Sequence, residues 1–74
     1  MQEQLVVGRA LRNMRTLAGL TQEELAARIG IKATYVSRVE RGHRGVRWHT
    51  VMRFLRALDA DLRQLAKAID HAED

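Results

Sequence analysis

Leu20-Thr21-Gln22-Glu23-Glu24-Leu25-Ala26-Ala27-Arg28-Ile29-Gly30-Ile31-Lys32-Ala33-Thr34-Tyr35-Val36-Ser37-Arg38-Val39-Glu40-Arg41-Gly42 reads as a helix, a tight turn, a second helix and a stop. Thr21 is an N-cap with Glu24 three residues on, the pattern of a capping box, and Leu20 and Leu25 are spaced to staple the helix start. Leu25, Ala26 and Ile29 are predicted to face the core, and Ala26 and Ala27 keep this helix slim where the next presses on it. Gly30 halts the first helix because glycine accepts the left-handed geometry of a helix end. The second helix is predicted over residues 33–41. At about 100° per residue, Tyr35, Val36 and Val39 fall on one side and Ala33, Thr34, Ser37, Arg38 and Arg41 on the other. Gly42 ends it. A connection of so few residues makes the two helices cross steeply.

The flanks are helical as well. Val7, Ala10, Leu11, Met14 and Leu17 form a stripe on a helix predicted over residues 6–18, ended by Gly19. A further helix over 48–58 has Trp48, Val51, Met52, Leu55 and Leu58 inward, with Phe54 off the stripe centre and offered to a dimer contact. Asp59 follows, and aspartate tolerates the left-handed geometry of a turn. The last helix, over 61–71, starts at the cap Asp61 with Gln64 as its capping-box partner and carries Leu62, Leu65, Ala66 and Ile69 as its stripe. The final four or five residues are expected to fray. With no proline and no period-two alternation, the expected fold is all-α, a compact five-helix bundle making one domain over residues 1–74.

Composition narrows the function. The 74 residues hold no cysteine, which removes disulfides and thiolate metal sites. No apolar run approaches the roughly 20 residues that cross a bilayer, and the first residues lack a signal-peptide pattern, so the expected location is cytoplasmic. Residues 1–60 carry eleven cations against five acids, and residues 61–74 carry two against four. Eleven of the thirteen cations are arginine, whose planar fork suits phosphate and guanine. A basic body with an acidic tail suits a nucleic-acid partner. His43, His49 and His71 have no metal-ligand spacing, and there is no phosphate-cradling glycine loop or nucleophile setting. No enzyme, metal, cofactor or small-molecule ligand is expected.

The helix over 33–41 has a dry face opposite one of small polar groups and arginine, which is what a reader of base edges in a DNA major groove needs. At this point the chain resembles the phage repressor and Cro-type, or XRE, family of helix-turn-helix regulators. The resemblance is carried by Gly19-Leu20-Thr21-Gln22-Glu23-Glu24-Leu25-Ala26, Gly30, Tyr35-Val36-Ser37-Arg38-Val39-Glu40-Arg41-Gly42 and Arg53-Phe54-Leu55-Arg56-Ala57-Leu58, and it extends over residues 7–65. It implies a lambda-repressor-like DNA-binding domain with its helix-turn-helix core at residues 21–41. Thr34-Tyr35-Val36-Ser37 and Glu40-Arg41-Gly42-His43-Arg44 also look like the controller proteins of restriction–modification systems.

The resemblance assigns roles residue by residue. Ala33, Thr34, Ser37 and Arg38 are the expected base contacts: arginine grips guanine O6 and N7, while methyls and hydroxyls meet other edges. Thr21 and Gln22, at a helix start, and Lys32, Tyr35, Arg41, His43, Arg44 and Arg47 are the expected phosphate contacts. Tyr35 reads equally well as a core-edge aromatic. Lys32 and Gly45-Val46-Arg47 depart from the family's capping residues, so the third helix is expected to start with a poorer cap and the fourth to lack its usual one. Arg15 and Glu40 are the expected structural ion pair, tying the first helix to the third.

The implied function is sequence-specific binding of double-stranded DNA by a transcriptional repressor or autoregulator. It would act as a homodimer on an inverted repeat, with Leu62, Leu65 and Ile69 as the expected dimer surface. The alternative for those three is packing on the first helix. The competing function is a protein-interaction module, an antitoxin or adaptor, against which the short acidic tail argues.

Overall fold

A computed structural model of the chain describes residues 3–43 and 47–73. Five helices run in order: α1 Glu3–Leu17, α2 Gln22–Ile29, α3 Ala33–Glu40, α4 Trp48–Ala57 and α5 Leu62–Glu73. The expected bundle is present, with two shifts at its ends. α1 begins three residues earlier than its stripe suggests, and α5 continues to Glu73 where fraying was expected.

The local start and stop signals act as the sequence says. Thr21 Oγ1 accepts from the Glu24 N–H at 3.0 Å while Glu24 Oε1 accepts from the Thr21 N–H at 2.9 Å. Asp61 and Gln64 make the same reciprocal pair at 2.9 and 2.8 Å. Gly30 closes α2 at φ +85°, and its N–H and that of Ile31 both reach the Ala26 carbonyl. Asp59 turns the chain between α4 and α5 at φ +54°. α3 and α4 start at Lys32 and Arg47 without any side-chain cap bond.

The core gathers one stripe from each helix: Ala10 and Leu11, Leu25 and Ala26, Val36 and Val39, Val51, Phe54 and Leu55, and Leu65. Several expected inward or outward positions are reversed, Leu62 and Ala66 of α5 among them, which are exposed. Phe54 is wholly buried rather than at a dimer contact, and Trp48 is 62% exposed rather than inward. The core face of α4 is therefore centred on Val51, Phe54 and Leu55, about one position round from the predicted stripe, and Trp48 on the first turn overhangs the core's edge. Leu17, in the last turn of α1, is 89% exposed because the chain leaves the core there for Gly19. Ala27 is exposed, and Ala26 alone is the close-packed alanine of α2.

α1 lies against both α3 and α5. Gly8 permits the first contact: a Cβ there would stand 2.5 Å from the Val39 carbonyl oxygen and 2.7 Å from that of Glu40. α2 and α4 are tied by two arginines that cap each other's helix ends. Arg53 donates to the Ile29 carbonyl at 2.8 Å and Arg28 to the Ala57 carbonyl at 3.3 Å, where helix C-terminal oxygens lack intrahelical partners. Among the described residues no helix is long and apolar enough to cross a membrane.

Candidate nucleic-acid interface

α3 presents its polar face because its other face is fully used. Val36, Val39 and Glu40 are buried. Of the four expected base-contact residues, Thr34 and Arg38 lie exposed, and Ala33 and Ser37 are half-buried at the margins of the same face. Tyr35 sits at the edge of the core, 36% exposed. Thr21, Lys32, Arg41, His43 and Arg47 are exposed around this helix, and Gln22 is half-buried. Arg44 lies outside the described residues. Among the described residues the one ion pair is Arg15–Glu40. Lys32, Arg38 and Arg41, on and beside α3, therefore carry charge that no described carboxylate pairs, which gives the exposed polar side of α3 a positive rim.

Beneath that rim is a buried polar cluster. Arg15 Nε donates to Glu40 Oε2 at 2.6 Å and an Arg15 terminal nitrogen to Glu40 Oε1 at 2.9 Å, a bidentate pair that joins α1 to the end of α3. The hydrogen bond to Glu40 raises the Arg15 pKa above its ordinary value, against the opposing effect of burial. The other terminal nitrogen of Arg15 donates to the Leu20 carbonyl at 2.8 Å, and Gln22 Nε2 donates to Glu40 Oε1 at 3.0 Å. These last two contacts were not foreseen from sequence. They join residues eighteen apart and five apart by geometry that no spacing rule encodes, the longer one between Gln22 and Glu40.

α5 divides the expected dimer residues. Leu65 is buried to 4% exposure in the core against α1, so it belongs to the fold; Leu62 remains 49% exposed and Ile69 half-buried. All three, Leu62, Leu65 and Ile69, nonetheless line one shallow apolar groove with Val7, Val39, Trp48 and Val51. Trp48 was assigned to the core from its spacing; the groove it borders is the surface that assignment missed.

Comparison with known proteins agrees with this geometry. Residues 6–68 match the model of the helix-turn-helix domain family. No curated protein matches the chain by sequence. Among solved structures, the chain is similar to the clp gene regulator ClgR of Corynebacterium glutamicum, with 26% identity, a TM-score of 0.90, and coverage of 100% of this chain and 95% of that one. It is also similar to the restriction-modification controller protein C.AhdI of Aeromonas hydrophila, with 40% identity, a TM-score of 0.78, and coverage of 85% and 96%. The wild-type restriction-modification controller protein C.Esp1396I shares the fold at 22% identity, with a TM-score of 0.85 over 99% and 97% of the two chains. The family match spans most of the sequence, and the chain belongs to the helix-turn-helix domain family.

Proposed function

We propose that this helix-turn-helix protein, a DNA-binding regulator of transcription, reads one half of an inverted repeat with α3 and acts as a homodimeric cytoplasmic repressor or autoregulator. One observation carries the reading. The outward face of α3 offers Thr34, Ser37 and Arg38, flanked along the chain by Lys32 and Arg41, which have no ion pair among the described residues, while its other face is buried. Base edges are read by such short polar side chains and arginine, and phosphates by the rim. Thr21, Lys32, Tyr35, Arg41, His43, Arg44 and Arg47 are assigned to the strand backbone, and Ala33 to a methyl contact.

Size supports a dimer. The described residues extend 29 Å at most, shorter than the roughly 34–36 Å between successive half-sites on one face of DNA. Two copies are needed to read two half-sites, and the exposed apolar surface of Trp48, Leu62 and Ile69 is assigned to their contact. The 40% identity to a restriction-modification controller favours a role of that kind over clp gene regulation, the role printed for the 26% relative.

Selection from randomised duplexes tests the readout. The wild-type protein should enrich one palindromic sequence. Arg38→Ala should lose preference at one base position in each half-site, whereas Arg47→Ala should weaken all sequences alike. An unchanged base preference in Arg38→Ala rejects the assignment. A wild-type protein that enriches no duplex rejects DNA reading and returns the chain to the protein-interaction class.

A further inference from the structure

We propose that Glu40 is a positioning residue for DNA binding, acting through Gln22: it turns the Gln22 amide so that an N–H, and not the carbonyl, faces the strand backbone. The inference rests on the DNA-binding reading above and deepens it.

An ionised carboxylate can only accept hydrogen bonds, and a primary amide has one accepting end and one donating end. Gln22 Nε2 stands 3.0 Å from Glu40 Oε1, so the donating end is the one turned to Glu40. Nε2 carries two hydrogens diverging by about 120°, so the one not held by Glu40 points away from it. Phosphate oxygens also only accept. An amide turned the other way would set its carbonyl against them, lone pair to lone pair.

Glu40 is itself held. Its two oxygens take the Arg15 fork at 2.6 and 2.9 Å, and Arg15 anchors to the Leu20 carbonyl, two residues before Gln22. Three groups from three parts of the chain thus hold one side-chain amide in place before DNA arrives, which lowers the ordering cost of a contact made there.

The start of α2 gives a phosphate a mixed setting. Its first backbone N–H groups and the Thr21 hydroxyl can donate, but Glu23 and Glu24 place two carboxylates in the first turn, where they oppose a phosphate. The Gln22 amide is the side-chain donor there whose orientation a second residue holds, and Glu40 is the group that aims it.

Because phosphate contact is blind to sequence, a short mixed-sequence duplex serves as the probe. Its affinity is measured for the wild type, Gln22→Ala, Glu40→Asp and the double variant, each checked for folding by its melting curve. Aspartate keeps the charge but draws the carboxylate back from Gln22 and Arg15 alike, so the melting curve reports what the ion pair loses and the double variant isolates what passes through Gln22. Gln22→Ala should bind roughly tenfold more weakly, the lower end of what a hydrogen bond to a charged group contributes. Glu40→Asp should weaken binding in the wild-type background and add nothing once Gln22 is alanine. Equal losses in both backgrounds, or no loss in either, overturn the proposal.

A second readout needs no variant. In the side-chain amide spectrum of the wild type, the two Gln22 protons should differ in shift, and one should move when duplex is added while the other holds. Two unmoved protons also overturn it. If the wild type binds no duplex at all, the DNA-binding reading fails and takes this inference with it; binding with an additive cycle removes this inference alone.

Discussion

Glu40, 5% exposed, ends α3 with a carboxylate shared by three donors, from Arg15 and Gln22. Taking a charge out of water costs several kcal/mol, and the bidentate pair returns that only while both partners are present. Removing one leaves the other buried and unpaired, which costs about 3–5 kcal/mol. Glu40→Ala should therefore lower the melting temperature far more than Ser37→Ala, whose side chain lies half-buried at the margin of the outer face. Thermal unfolding by circular dichroism compares them directly, and equal midpoints reject a structural role for the pair.

At the scale of the elements, helix ends and helix contacts have separable chemistry. Hydrogen bonds from the Thr21 backbone N–H and from Thr21's side chain hold the Glu24 carboxyl below the usual glutamate range. A carboxyl depressed on folding adds stability in full above its unfolded pKa and loses it as pH falls through the folded value. Glutamine keeps the cap's acceptor without the charge. The wild type should thus melt higher than Glu24→Gln near neutrality, and the gap should close as pH drops below the ordinary glutamate range. A gap that stays constant to acid rejects this account.

The contact between α1 and α3 depends on Gly8 in a different way. Alanine improves helix propensity by about 1 kcal/mol, but its Cβ would meet two backbone carbonyls that have no rotamer to change. Overpacking of this kind costs about 1–3 kcal/mol, so Gly8→Ala should be destabilising in chemical denaturation despite the better helix former.

For the whole molecule, the apolar surface left over by the core bears on assembly. Trp48 and Leu62 are both large, and they are 62% and 49% exposed on the rim of one groove. Leu62→Asp removes little core contact but sets a carboxylate in the assigned dimer face. It should shift sedimentation to the monomer and weaken binding to an inverted repeat, with a far smaller loss on a single half-site. A wild type that sediments as a monomer at every concentration rejects that face.

The chain's own order of residues was enough for the five helices, the two capping boxes, the turn at Gly30 and the outward set Thr34, Ser37 and Arg38. These are local features: caps act within one turn, and helical spacing assigns faces within a few residues. Packing alone chose the rest. Phe54 goes inward and Trp48 outward because α4 docks about one position round from its apparent stripe, and an apolar residue on a short amphipathic helix carries no mark of which neighbour it will meet. Leu65 joins the core and Leu62 stays at the surface for the same reason, since α1 covers one side of α5 and not the other. Gln22 finds Glu40 only once the turn has brought the start of α2 beside the end of α3, a long-range meeting that hydrogen-bond geometry in the folded chain establishes.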